Sequence, residues 1–275
     1  MNDAADPRRR ELPTDPWSLL PMGDAFDSAI EDGLAGLDLL DTPAAAPAAR
    51  RSYEAHARLL RDWNSAINLT AIREPEQMAW RHTADSLSAV PLLAEELPPD
   101  ATLLDVGSGG GYPGLPLAAA LPWSRVGLLD SVGKKARFLG VAGAAVAASL
   151  EDGPAIDAIA ERAEDIAEEV EHREAWDVVV VRAVGSLAEV LELGLPLTRV
   201  GGSVVAWKRE EAGEGLRAEL QGAGSIIRAA GGGRPRVVPV ETPALADHRL
   251  VIVPKERTTP IAYPRSAGVR KRRAR

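Results

Sequence analysis

Apolar positions recur along the chain in two rhythms. From Ala101 onward, short apolar runs alternate with longer stretches of helical spacing. The runs are Thr102 to Val106, Arg125 to Asp130, Ala155 to Ala160, Asp177 to Arg182, Ser203 to Lys208, Arg236 to Val240 and Arg249 to Val253. Helices are expected after the first five, over Gly114 to Leu121, Lys134 to Leu150, Asp165 to Arg173, Leu187 to Leu197 and Glu210 to Ala230. That alternation predicts an α/β fold built on a doubly wound, mostly parallel seven-stranded sheet, with ligands at the carboxyl ends of its strands. The last two strands have no helix between them, which predicts an antiparallel hairpin. Ahead of the sheet, Tyr53, Ala57, Leu60, Trp63 and Ile67 fall at helical spacing, and a second helix is expected from Met78 to Leu93. Residues 50–100 therefore read as a helical cap, and 101–264 as the sheet domain. Residues 1–49 have scattered prolines and weak periodicity, and read as a flexible extension ending in a linker.

Charge divides the ends of the chain from its middle. Of the net charge of -8, residues 1–49 carry -7, from ten acids against three arginines. Arg265 to Arg275 holds six basic residues and no acid, a pattern that suits either a phosphate-contacting tail or a solvated terminus. There are no cysteines, which excludes disulfides, thiolate zinc sites and a cysteine nucleophile. Met1 to Arg10 has no apolar core of a secretory signal, and no run approaches the ~18 apolar residues of a membrane span, so a cytoplasmic protein is expected.

The candidate chemistry begins at Leu104-Asp105-Val106-Gly107-Ser108-Gly109-Gly110-Gly111-Tyr112-Pro113-Gly114, after the first strand and before a helix. Glycines there let the backbone turn sharply and let a ligand meet main-chain amides. Asp130 ends the second strand, where a carboxylate can accept both hydroxyls of an adenosine ribose. Gly109 to Gly114 also satisfies the dinucleotide fingerprint. Against a dinucleotide, Asp105 stands two residues before Gly107, and Pro113 and Pro116 crowd the turn where a pyrophosphate needs free amides. An acid ahead of glycines is the arrangement for S-adenosylmethionine.

Read with residues further along, the loop resembles that of the bacterial small-subunit rRNA guanine-N7 methyltransferases known as RsmG or GidB. The resemblance includes Trp63-Asn64 with Asn68-Leu69-Thr70, Arg81-His82 with Asp85-Ser86-Leu87, and Leu129-Asp130-Ser131 with Lys134-Lys135. It continues through Arg162-Ala163-Glu164, Arg182-Ala183, Gly201-Gly202 with Lys208, and His248-Arg249 ahead of Lys255. It implies a class I, Rossmann-like methyltransferase that takes S-adenosyl-L-methionine, needs no metal, and acts on N7 of a guanine in the 530 loop of 16S rRNA. The partner is then 16S rRNA, within the small ribosomal subunit or its assembly intermediate. The family usually has phenylalanine where Tyr112 stands.

By the same resemblance, Gly107, Gly109 and Tyr112 contact the cofactor, Ala163 and Glu164 lie beside adenine, and Arg182 lies next to the transferred methyl and is the catalytic candidate. Glu164 suits equally a first-turn acid that favours its helix dipole, and Arg182 a structural pair with Asp105 or Glu164. Lys134, Lys208 and Arg249 match basic positions that meet RNA; as single charges each is also an ordinary solvated residue. His82 and Asp85, three residues apart, suit a hydrogen bond that fixes the cap. Other acceptors fit less well. Pyrimidine C5 transfer needs the missing cysteine, amino methylation uses Asn/Asp-Pro-Pro-aromatic where Arg182-Ala183-Val184-Gly185 stands, and ribose methylation expects an acid there. The remaining rivals are a nucleotide-dependent oxidoreductase and a catalytically silent RNA-binding protein.

Overall fold

A computed structural model of the chain describes residues 12–98, 100–182, 185–210 and 215–273, without the side chains of 271–273. All seven expected strands are present: β1 Thr102–Val106, β2 Arg125–Leu129, β3 Ala155–Ile159, β4 Trp176–Arg182, β5 Thr198–Arg209, β6 Arg236–Pro239 and β7 His248–Pro254. Their order across the sheet is β3-β2-β1-β4-β5-β7-β6. β7 runs antiparallel to both neighbours, so the expected hairpin forms with its second strand inserted beside β5. This is the class I methyltransferase sheet that the resemblance implies.

Alternation along the strands builds two apolar layers, because successive side chains leave opposite faces. Leu103, Val178, Val180, Val205, Leu250 and Ile252 enter one buried cluster, whereas Leu104, Val179, Val181, Val204, Val251 and Val253 enter the other. The second face is covered by α8 (Ala163–Ile166), α9 (Leu187–Gly194) and α10 (Gly215–Ala229). The first is covered by α6 (Gly114–Ala120) and α7 (Gly133–Ala147), and over them lies α2 (Pro47–Ile67). Pro47 opens α2 with its preset φ, and Asn68 closes it in the left-handed region at φ 49°. Between them Tyr53, His56, Leu60, Trp63 and Ile67 form one buried stripe.

The segment before Arg50 departs from expectation, at least from residue 12 onward; residues 1–11 lie outside the described residues. α1 (Asp24–Gly36) is amphipathic and buries Phe26, Ile30 and Leu34 in the main core. Residues 13–21 are strapped to α2: Trp63 Nε1 donates to the Pro13 carbonyl at 2.8 Å, Arg58 to Leu19 at 3.2 Å and Arg61 to Pro21 at 3.0 Å. Hence 12–49 belongs to the first-face layer and is no flexible extension. The acids face water while the apolar stripe faces inward.

The second cap helix is also broken into pieces. α3 (Pro75–Met78) passes through a π turn (Ala79–Ala84) into α4 (Asp85–Leu87), and α5 (Val90–Glu96) follows. A π turn re-aims the side chains after it, and such turns are frequent at functional sites. Here it aims Arg81, His82 and Asp85 at the carboxyl edge of β4 and β5. Among the described residues, no helix is long and apolar enough to cross a membrane.

Candidate active site

Two cavities lie at the carboxyl edge of the sheet. One, of about 370 Å³, sits over β1 and β2 and is lined by Gly107, Asp130, Lys135, Ala163, Glu164 and Arg270. The other, of about 400 Å³, sits over β4 and β5 against Asp85, Arg182, Trp207, Lys208 and His248. Both are large enough for a nucleoside-sized ligand.

The first cavity owes its shape to the glycine loop. Gly107 and Gly109 have φ of 77° and 54°, a region costly for residues with a Cβ. The amides of Gly107 and Ser108 donate to the Leu129 carbonyl at 2.8 and 2.9 Å, fastening the loop to the end of β2. Asp130 faces the loop: Oδ2 accepts from Gly109 N–H at 3.1 Å and Oδ1 from Val132 N–H at 2.9 Å. Each oxygen retains a second lone pair, so the carboxylate can still accept from a ribose.

Asp105 and Tyr112 do not line that cavity as expected. Asp105 is buried beneath the loop, where Oδ2 accepts from Gly114 N–H at 2.9 Å at the start of α6. A Cβ on Gly114 would meet Asp105 Oδ2 at 2.8 Å, so this approach requires glycine. Burial, only partly offset by the Gly114 bond, pushes the Asp105 carboxyl up to about 7. Oδ1 is buried with no hydrogen-bond partner among the described residues, which leaves polar capacity just under the loop. A raised folded pKa means stability is greatest below the unfolded value of 3.8 and is lost as pH rises through 7. Asp105→Asn keeps the shape without the proton, so its stability relative to wild type should improve between about pH 4 and pH 7. Urea unfolding across that range checks this, and a constant gap would contradict it.

Tyr112 turns away into the first-face layer. Its ring stacks between His56, at 4.3 Å between centroids, and His82, at 4.7 Å, and the Arg182 guanidinium lies 5.3 Å from its centre. His56 comes from α2 and bonds through Nε2 to the Gly110 carbonyl at 2.7 Å; burial drives its pKa down to about 4. The ring column therefore ties α2, the loop and the π turn together.

Arg182 ends β4, and neither acid considered for it holds it. Its partner is Asp85: Nη1 donates to Asp85 Oδ2 at 2.8 Å and to the Arg81 carbonyl at 3.1 Å. Nη2 lies 3.3 Å from His82 Nδ1, while His82 Nε2 lies 2.8 Å from Thr70 Oγ1. Burial and the Arg182 charge push His82 down to about 3, so the ring is neutral, with Nδ1 accepting and Nε2 donating. The expected His82–Asp85 bond is replaced by this shared hold on Arg182. Asp85 Oδ1 takes a second bond, from His248 Nδ1 at 2.6 Å, and Trp207 Nε1 donates to the Asp85 carbonyl at 2.8 Å. Burial pushes the Asp85 carboxyl up, but His248 and Arg182 outweigh it and hold it below its ordinary range.

The basic candidates are all at the carboxyl edge yet differ in setting. Lys208 and Arg249 are direct cross-strand partners on β5 and β7. Each is paired with an acid, Lys208 with Glu219 at 2.7 Å and Arg249 with Glu210 at 2.5 Å. Lys134 is exposed in the first turn of α7, on the other side of the glycine loop. Ala163 and Glu164 do line the first cavity, and Glu164 is held by Arg270 at 2.9 Å. That arginine corrects the picture of an outward basic tail: Arg265 and Arg270 both turn inward, Arg265 to the buried Glu192 at 2.5 Å. Ala274 and Arg275 lie outside the described residues, as do Ala183 and Val184.

Comparison with known proteins settles the family. The model of the family described as GidB, rRNA small subunit methyltransferase G, matches residues 50–223. This chain belongs to that family. A protein named ribosomal RNA small subunit methyltransferase G from Symbiobacterium thermophilum is 37% identical over 246 residues, covering 89% of this chain and 96% of its own length. One of the same name from Roseiflexus castenholzii is 40% identical over 223 residues, covering 80% and 90%. Another from Dehalococcoides mccartyi is 39% identical over 218 residues, covering 79% and 88%. As a member, this chain is an S-adenosylmethionine-dependent enzyme whose substrate is small-subunit ribosomal RNA.

Proposed function

We propose that the first cavity holds S-adenosylmethionine, the second receives the target guanine, and Arg182 stands between them as the residue that positions the base for attack by N7. The observation that carries this is the fixed guanidinium at the end of β4, held by Asp85, the Arg81 carbonyl and His82 on the wall of the second cavity. A guanidinium pre-set in this way can donate to guanine O6 beside the reacting atom while leaving the N7 lone pair free to attack the methyl group.

The residues around the first cavity fit the cofactor. Asp130 offers carboxylate lone pairs for the ribose, and the Gly107 to Gly109 backbone leaves room for close approach. When bound, the cofactor supplies an electrophilic methyl group on sulfur. The remaining task for the protein is alignment, which can supply much of the rate. Guanine N7 attacks with an unshared pair and sheds no proton, so Arg182 need act as neither acid nor base. Lys134, Lys208 and Arg249 would meet phosphates around the two cavities, with Glu219 and Glu210 giving way to RNA at the latter two. The site of action is the cytoplasm, on 16S rRNA in the small subunit or its assembly intermediate.

The test is RNA carrying a single 7-deazaguanine at the target, which keeps pairing and shape but has carbon in place of the nucleophile. No methyl should enter it. Incorporation at the rate of unmodified RNA would move the acceptor to another atom.

A further inference from the structure

The segment after β7 crosses the second face of the sheet and ends in α11 (Ala267–Arg273), beside the first cavity. Its path is anchored. Arg173 donates to the carbonyls of Thr259 at 3.0 Å and Tyr263 at 3.1 Å. Arg265 then makes three bonds to Glu192: from its backbone N–H at 3.0 Å, from Nε at 2.7 Å and from Nη2 at 2.5 Å.

That anchoring delivers Arg270 to the cavity wall. Only 8% of its side chain is exposed. Nη2 donates to Glu164 Oε1 at 2.9 Å and Nη1 to the Arg265 carbonyl. Nε, by contrast, is buried and has no hydrogen-bond partner among the described residues. A buried, charged N–H left unmade is costly, so a side chain held this firmly by its other nitrogens should have an acceptor to meet. The open space beside it is the cavity shared with Asp130, Ala163 and Glu164.

We propose that Arg270 is a cofactor-binding residue: its Nε–H donates to an acceptor atom on the nucleoside half of S-adenosylmethionine, while its Nη2 orients Glu164 toward the same ligand. This rests on the assignment of the first cavity to the cofactor. It gives the basic tail a role in closing the cofactor site, in place of the RNA contact that its charge suggests.

The probe is S-adenosylhomocysteine, titrated calorimetrically into the full-length protein. Arg270→Ala should weaken binding about tenfold or more, the loss expected for a hydrogen bond to a charged group. Arg270→Lys keeps the charge toward Glu164 but lacks the Nε–H, and should restore unliganded thermal stability without restoring affinity. In turnover assays KM for the methyl donor should rise, with KM for RNA unchanged. Asp130→Ala separates this proposal from the reading beneath it. If Asp130→Ala loses affinity and Arg270→Ala does not, the cofactor assignment stands and the arginine assignment fails. If neither loses affinity, both fail. Tighter binding by Arg270→Ala would mean that the guanidinium occupies the ligand's place, and a higher KM for RNA at unchanged affinity would return the tail to the RNA; either overturns the proposal.

Discussion

Arg182→Ala should lose turnover by roughly two orders of magnitude or more, the scale seen when one pre-set charge stabiliser is removed from an active site. It should also destabilise the fold by about 3–5 kcal/mol, because Asp85 then remains buried with His248 as its single side-chain partner. The two effects separate with Arg182→Lys. Lysine restores a positive charge beside Asp85, but one ammonium cannot span Asp85, the Arg81 carbonyl and His82 as the fork does. Stability should largely return in the Lys variant, and turnover should not. The residual rate of the Ala variant should keep the wild-type pH dependence, since N7 attack releases no proton. Methyl incorporation measured well below each variant's unfolding temperature is the check. Wild-type turnover by folded Arg182→Ala would remove the residue from the mechanism.

Phe26→Ala should cost about 3–5 kcal/mol, the usual range for deleting a buried aromatic ring. The ring is 1% exposed in α1, in the same buried cluster as Trp63, Leu103 and Phe138. Urea unfolding should show one transition at a lower midpoint. An unshifted midpoint would mean that the layer before Arg50 is dispensable after all.

That layer shows where the sequence was legible and where it was misread. The five inner strands could be placed because each carries a short apolar run buried on both faces, a signal that survives without tertiary context, while the largely exposed edge strands β3 and β6 followed from their place in the alternation. α1 carried its own signal in Phe26, Ile30 and Leu34, spaced by four. The acids around them made the segment look solvated, although acid on the outer face of an amphipathic helix is the ordinary arrangement. At the site, Asp130, Ala163 and Glu164 could be placed because a strand end or a helix start fixes where they face. Tyr112 could not: adjacency to a glycine loop does not say on which side of the backbone a ring leaves. The partners of Arg182 were hidden for a further reason. Asp85 reaches it through a π turn, which no apolar spacing announces, across 97 residues of chain. The same holds for Arg270 and Glu164, 106 residues apart and joined only by the path of the closing segment.

The insertion of β7 between β5 and β6 has a consequence for assembly of the molecule. Asp85 is bonded to His248 across 163 residues, and the loop that this contact closes contains the whole sheet except β7 itself. Closing so long a loop is entropically unrewarded until the intervening strands are in place, which makes such pairings late events. A chain whose last strand has not yet been threaded can already own its glycine loop, since Gly107, Asp130 and β2 are local to one another. It cannot yet own the part of the second cavity's wall that His248 supplies, nor the bond by which His248 braces Asp85. The competence to receive a base is therefore gained last, and a kinetic trap short of that final strand would leave a protein able to engage a nucleoside but unable to modify RNA.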